Sequence, residues 1–344
     1  MALGLLTTPY MSINKLALTV LFLGLLSTGA FGDTVAPFGV ASAYNLVALG
    51  TTGSSPIAGT IGTTADVTGR AAAADQILYG TTFGSSLNND PWGSLATYGV
   101  VSTNGLVAGQ NYNVNGGGNV YAPGTNGNIN FNDGGHRVTS GSSGIDFNAL
   151  RTSLDLETAV LNGLAPNGIV GAPTPPGGNP QWLVLQGTST TLNIFDITAA
   201  QFASTNNNID IEAPVGSTII VNVAGTNVTL GTGLYYNGVQ NSGDSEADQD
   251  ILFNFAGAQT VAIDGQFDAS VLAPFAVLTG DGQMGGNFIA AQIGQTGEVH
   301  NIEFDGTLPP GDPNSPVPEP GTLALMGTGV LSMAAAVRRK KLNR

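Results

Sequence analysis

Short apolar runs separated by Gly, Asn, Asp and Thr fill the chain from Asp33 to about Pro310. Ile219–Val223, Asn227–Leu230, Ile251–Phe255, Thr260–Ile263, Ser270–Ala273 and Phe288–Ile293 read as strands. The pairs Asn104-Gly105, Asn115-Gly116, Asn126-Gly127 and Asn237-Gly238 predict turns, because both residue types tolerate positive φ. Many short strands with frequent turn signals predict a mainly β domain.

The C-terminal third also repeats itself. Phe267, Val271, Leu272 and Ala273 recur 17 residues later as Met284, Phe288, Ile289 and Ala290. Phe255 precedes Leu272, and Gly265 precedes Gly282, by the same interval. Such a period fits a β-solenoid, whose coils stack like residues over like. A β-sandwich would show similar strands without the period, and the balance favours the solenoid. One stretch has helical spacing instead: Phe147, Leu150, Leu154 and Leu161 fall on one face. Ser143 is the expected cap of its first turn, with Asp146 near the positive helix end. Asn162-Gly163 is the expected left-handed stop. Pro173 to Pro180 leads back into strands.

The two ends differ from the body. Lys15 precedes the apolar run Leu16–Leu26, and small residues offer cleavage after Ala30 or Gly32, the pattern of a secretory signal over residues 1–32. Met11 is an alternative start, and an uncleaved anchor is the competing reading. At the other end Val317-Pro318-Glu319-Pro320 leads into the apolar stretch Gly321–Val337 and then Arg338-Arg339-Lys340-Lys341. That order predicts a transmembrane helix with its basic end retained in the cytoplasm. It also resembles the PEP-CTERM sorting signal. The resemblance implies an exosortase-type enzyme that removes the tail after transient anchoring in the inner membrane, with delivery to the cell surface or extracellular matrix. A permanent anchor is the alternative.

Composition narrows the chemistry. The chain holds 344 residues with 50 Gly, no Cys and only 9% charged residues. Lacking Cys, it has no disulfide, thiol nucleophile or thiolate metal site. Six of the nine Lys and Arg lie in the two ends. Between positions 33 and 316, the three arginines Arg70, Arg137 and Arg151 face 22 acidic residues, a net charge of −19. Such a surface repels phosphate backbones, which argues against nucleic acid as a partner.

The body, about residues 37 to 310, resembles the choice-of-anchor A family, also described as an ice-binding-like adhesive domain. The likeness rests on Phe38-Gly39-Val40-Ala41, Tyr44-Asn45-Leu46, Val67-Thr68-Gly69-Arg70, Ile145-Asp146-Phe147 and Leu192-Asn193-Ile194-Phe195. Its most specific runs are Ile251-Leu252-Phe253-Asn254-Phe255, Val271-Leu272-Ala273-Pro274 and Gly297-Glu298-Val299-His300-Asn301. The resemblance implies a discontinuous β-solenoid with one long α-helix packed alongside. The domain therefore covers residues 33–310, a linker 311–316, and the sorting signal 317–344.

Candidate chemistry is sparse. His300 lies between Glu298 and Glu303, an arrangement open to acid–base or metal use, but it matches the family pattern and reads as fold-determining. His136 lies in a glycine-rich loop. Asp244, Glu246, Asp248 and Asp250 alternate as in a calcium loop. Counted from Asp244, the sixth and twelfth places hold Gln249 and Phe255, which excludes an EF-hand and leaves a looser Ca2+ site. Asp264 and Asp268 form the carboxylate pair nearest to a glycosidase arrangement. No nucleophile elbow or phosphate loop is present. The sequence thus predicts no catalytic residue and no cofactor beyond that Ca2+. The expected role is non-catalytic adhesion to extracellular polysaccharide or matrix. Ice binding is the alternative, with a polysaccharide-active enzyme behind it. No regular Thr-x-Thr ladder supports ice binding.

Overall fold

The computed structural model describes residues 36–309, except 88–89, 125–126, 172–181, 204–207, 232 and 241–248. Apart from Ala36 these belong to the unit that begins at Pro37. Parallel strands dominate, and their registers line up in three columns. In the first, Phe195, Val221, Phe253, Val271, Phe288, Leu46, Ala71, Val100 and Val120 follow one another across the long sheet. In the second, Val228, Val261, Leu278, Ile293, Ile61, Ile77 and Leu106 are successive partners. The third runs Phe267, Met284, Val299, Val67, Phe83, Val114 and Phe131. Nearly all these side chains are buried together in one continuous core between the columns. Each coil thus lays its apolar residues on those of the coil beneath, and sequence positions far apart share one interior.

The repeat of 17 residues is a coil of this stack. Phe267 pairs with Met284, Val271 with Phe288, Leu272 with Ile289 and Ala273 with Ala290, all in parallel. Phe255 is the exception, because the partner of Leu272 is Asn254. Gly265, Gly282 and Gly297 form a corner column so tight that a Cβ on Gly282 would lie 1.9 Å from the Gly265 carbonyl oxygen, and one on Gly297 equally close to that of Gly282. The strand expected at Ser270–Ala273 continues to Gly280. Its register shifts between Ala273 and Val277, where Pro274 has no N–H to give to a ladder.

Coil order does not follow chain order. From Leu46 the coils proceed outward to Arg137–Val138. The chain then crosses to the opposite end of the stack at Leu192–Thr198 and works back until Phe288–Ile293 seats on Leu46–Ala48. Two buried asparagines hold this seam. Asn45 Nδ2 donates to the Gly286 carbonyl at 3.0 Å, and its Oδ1 accepts from Arg70 N–H at 3.2 Å. Asn287 Nδ2 donates to the carbonyls of Ser42 and Tyr44, at 3.0 and 2.9 Å, while its Oδ1 accepts from Phe304 N–H at 2.7 Å.

The helix spans Phe147–Asn162 and buries Phe147, Leu150, Leu154, Thr158 and Leu161. It lies against the outer face of the long sheet, over Thr218–Ala224, Ile251–Asn254 and Ser270–Gly280. Leu252, Leu272 and Ile289 are fully buried yet alternate with the interior residues, so they point toward the helix side. A buried amide relay joins the two layers. Asn254 Nδ2 donates to the Thr158 carbonyl at 3.0 Å and to Asn222 Oδ1 at 2.9 Å, and Asn222 Nδ2 donates to the Leu161 carbonyl at 2.9 Å. Both expected helix ends are corrected. Asp146 is the N-cap, its Oδ1 accepting from Asn148 and Ala149 N–H at 3.0 and 3.1 Å. Ser143 instead closes a local turn onto Ile145. Gly163 ends the helix at φ −88°, in right-handed rather than left-handed backbone.

A second sheet of five strands, in the order Val239–Gln240, Gly233–Tyr236, Asn208–Glu212, Leu183–Gln186 and Ile169–Gly171, adjoins this core. Its Asn237-Gly238 turn has φ of 51° and 77° and joins an antiparallel hairpin. Asn104-Gly105 and Asn115-Gly116 turn corners between parallel coils instead. Asn126 lies outside the described residues.

Candidate functional site

The residues flagged in the sequence do not converge. His300 Nε2 lies 2.7 Å from Gln283 Nε2 and 3.8 Å from Glu298 Oε1 on the outer side of its strand. Glu303, by contrast, is fully buried. Asp268 is likewise fully buried, with Gln266 Nε2 donating to its Oδ2 at 3.1 Å, whereas Asp264 is exposed. One carboxylate closed to solvent and one exposed do not make an acid–base pair flanking one substrate bond. His136 is exposed, and its backbone N–H donates to Asn119 Oδ1. Of the expected calcium loop only Asp250 is described; burial and the neighbouring Asp305 push its carboxyl above the ordinary range. Asp244, Glu246 and Asp248 lie outside the described residues, as do Val317, Pro318, Glu319, Pro320, Arg338 and Arg339. Among the described residues no group of three His, Cys, Asp or Glu is placed to hold a metal ion.

All three arginines of the body serve the fold. Arg151 reaches from the helix to the carbonyls of Leu49 and Gly50. Arg137 turns back onto the carbonyls of Ala122 and Gly124. Arg70 pairs with Asp90, both largely buried. Next to this pair lies Glu303, whose Oε2 accepts from Trp92 N–H at 3.4 Å, while Trp92 Nε1 donates to the Phe304 carbonyl at 2.9 Å. Burial, and then Asp90, raise the Glu303 carboxyl to about 9, so it holds its proton at neutral pH. Two adjacent buried carboxyls beside one guanidinium are satisfied when one of them is neutral. With Asn45 accepting from Arg70 N–H, this cluster lies under the seam between first and last coils. It is a lock on the fold, closed to solvent.

The outward face of the five-stranded sheet is different. Ile209, Ile211, Leu183, Leu185, Leu234 and Tyr236 face the core. By alternation, Asp210, Glu212, Gln186 and Tyr235 face away. Trp182 lies across this face with its ring centroid 4.3 Å from that of Tyr235 and the planes inclined by 33°. Both rings are half-buried. Gly233, opposite Asn208 in the ladder, leaves space for the ring, since a Cβ there would lie 3.0 Å from Tyr235 Cε2. Asp210 beneath is fully buried. Its Oδ1 accepts from Gly238 N–H at 3.0 Å, and burial pushes its carboxyl up. Asp210 Oδ2 and Trp182 Nε1 have no hydrogen-bond partner among the described residues. At the edge of the face Gln186 Nε2 donates to Glu212 Oε2 at 2.7 Å. Beside that pair a groove of about 620 Å³ is lined by Ile169, Gln186, Thr188, Glu212 and Pro214. Ile169 is 66% exposed, and Val215 just beyond is 79% exposed.

An aromatic pair sharing a sheet face with an amide and a carboxylate suits a ligand with one apolar face and a rim of hydroxyls. The rings pack against C–H groups, while Gln186 and Glu212 give and accept hydrogen bonds at the rim. Sequence reading did not find this site. Its one signal was the placement of Tyr235 on the polar side of an alternating strand; the partner ring comes from the far side of the proline-rich connection.

Two family models match. The Ice-binding-like adhesive domain matches residues 37–301, and the PEP-CTERM protein-sorting motif matches residues 316–340. No curated protein matches significantly. Among solved structures, an ice-binding protein from the Antarctic ascomycete Antarctomyces psychrotrophicus is similar at 9% identity, over 77% of this chain and 97% of that one, with a TM-score of 0.32. Since the domain model spans most of the chain, the protein belongs to the ice-binding-like adhesive domain family and ends in a PEP-CTERM sorting motif.

Proposed function

We propose that this chain is an exported, exosortase-sorted surface protein that adheres, without catalysis, to neutral polysaccharide through the Trp182–Tyr235 face. The sorting motif implies recognition by an exosortase-type enzyme and a cell-surface or extracellular location. In this reading residues 1–32 are a signal peptide, 33–310 the adhesive domain, 311–316 a linker, and 317–344 the sorting signal whose apolar stretch anchors the chain in the inner membrane for a time. The three-sided parallel stack is read as a discontinuous β-solenoid with its helix alongside.

The observation that carries the ligand assignment is the packed ring pair on the same sheet face as Gln186 and Glu212. Charge supports a neutral glycan. The body is strongly acidic, and each of its arginines is engaged within the fold, so no free cation stands ready for a uronic acid. The same facts weigh against a polysaccharide lyase, which needs a base and cations at the sugar acid. An acidic polymer would instead need calcium bridging, for which Asp244, Glu246, Asp248 and Asp250 are the candidates. Ice binding is the second reading and has the family description behind it. A glycan panel probed with the secreted chain tests the assignment. Trp182→Ala and Tyr235→Ala are each expected to weaken binding about tenfold or more, as loss of a well-packed aromatic anchor does. Undiminished binding by both variants would remove this face from the proposal. Binding abolished by a chelator would transfer the role to the acidic loop. Thermal hysteresis without glycan binding would favour ice, and release of new reducing ends would establish an enzyme.

A further inference from the structure

Among the described residues one end of the stack is covered and the other is open. At the Leu192–Thr198 end, Asn167 and Gly168 N–H both donate to the Ile194 carbonyl at 3.1 Å, and Asn167 Oδ1 accepts from Ile194 N–H at 2.7 Å. At the opposite end Asn128–Phe131 pairs, among the described residues, only with Asn111–Val114. In this parallel ladder the even residues bond inward, as Asn128 and Asn132 N–H do to the carbonyls of Gln110 and Val114. Ile129 and Phe131 therefore present their N–H and C=O groups outward. Their side chains are only partly buried against the core. Natural edges of this kind carry Lys, Pro or an inward charge. This strand carries none of them, and the nearest cation, Arg137, is folded back onto carbonyls.

On the solvent side an asparagine ladder runs across the two strands. The Nδ2 groups of Asn128, Asn130 and Asn132 donate to the Oδ1 atoms of Asn111, Asn113 and Asn115 at 3.1, 3.0 and 2.7 Å. Each outer amide keeps a free hydrogen and a carbonyl oxygen, and an amide is complementary to itself. We propose that two copies of this chain pair head to head through Asn128–Phe131, antiparallel about a two-fold axis at Asn130. In that register Ile129 lies opposite the partner's Phe131, exchanging both backbone hydrogen bonds and joining the two cores. Asn130 meets its own copy, and Asn128 meets the partner's Asn132. Backbone, apolar side chains and amides are all satisfied by one symmetry operation, as an isologous contact requires. The chain's own C-terminal segment is a poor occupant, since Pro309, Pro310, Pro313 and Pro316 break any ladder it would form. Unlike the glycan assignment, this contact does not involve the Trp182 face.

The test uses the secreted chain in sedimentation velocity and oxidative cross-linking. A dimer that tightens with added salt is expected, because two bodies of net charge −19 repel at low ionic strength. Asn130→Lys places two like charges on the axis and is expected to raise the dissociation constant about tenfold or more. The chain has no Cys, so Asn130→Cys gives a clean probe. A non-hydrogen-bonded antiparallel pair has Cα atoms about 4.5 Å apart, within disulfide range. Asn130→Cys is expected to form a reducible dimer, and Leu156→Cys, on the 53% exposed helix position, is not. A wild-type monomer at about 100 µM, some two orders above the micromolar constants of ordinary pairs, would overturn the proposal. So would a dimer that Asn130→Cys does not trap more than the control, or amide protection of Ile129 and Phe131 in a monomer.

Discussion

Glu303 shows most clearly how one residue can tie stability to pH. Its ordinary value is 4.5, and burial beside Asp90 raises it to about 9 in the folded chain. Between those values the folded state holds a proton that the unfolded state has released. Stability therefore falls as pH rises through this window, with a limiting slope of about 1.4 kcal/mol per pH unit for one proton. Asp210 and Asp250, also raised by burial, act in the same direction above the usual Asp range. Glu303→Gln keeps the shape and a donor without an ionisable group. Chemical denaturation from pH 5 to pH 9 is expected to show the variant losing less stability than the wild type toward high pH. Equal slopes for both would mean that Glu303 is not the group responsible.

At the scale of elements, the helix separates what local pattern can foresee from what it cannot. Its buried stripe followed from spacing, because a helix of that period must present one face to the sheet. Its cap did not, since Ser143 and Asp146 both satisfy the cap preference and backbone geometry decides between them. Asp146→Ala is expected to cost about 1 kcal/mol through two lost N–H acceptances. Ser143→Ala is expected to cost less, its hydroxyl serving one local turn. Urea midpoints for the two variants give the order, and a larger loss at Ser143 would reverse the assignment. The coil register was legible for the same reason as the stripe: stacked parallel strands put like residues over like, and the 17-residue interval marks one circuit.

For the whole molecule, the two ends and the body make one prediction about processing. Secreted protein is expected to lack both the segment through Ala30 or Gly32 and the basic tail, leaving the acidic body outside the cell. Intact-mass measurement reads this directly, and surface protein that still carries Arg338 to Arg344 would show a permanent anchor instead. The resemblance residues acquire a physical role here too. Tyr44-Asn45-Leu46, Gly69-Arg70 and Gly297 to Asn301 surround the seam. A Cβ on Gly69 would lie 1.6 Å from Asn45 Oδ1 and 2.6 Å from Asn301 Oδ1, so a side chain there would push against both the first coil and the last.

The amino-acid sequence by itself determined the β class, the 17-residue coil of the C-terminal third, the helix face, the acidic body and the C-terminal sorting motif. Each of these follows from composition or from spacing within one or two coils, where neighbours in the chain are neighbours in space. Tertiary structure alone decided that Phe288–Ile293 closes on Leu46–Ala48, that Glu303 lies buried beside Asp90 and Arg70, and that Trp182 stacks on Tyr235. It also buried Glu303 while leaving Glu298 and His300 in contact with solvent, although adjacency in sequence had placed the three together. The reason is the detour of the chain from one end of the stack to the other. Periodicity records which coil follows which, but the meeting of the last coil with the first depends on matched edges that no local pattern encodes.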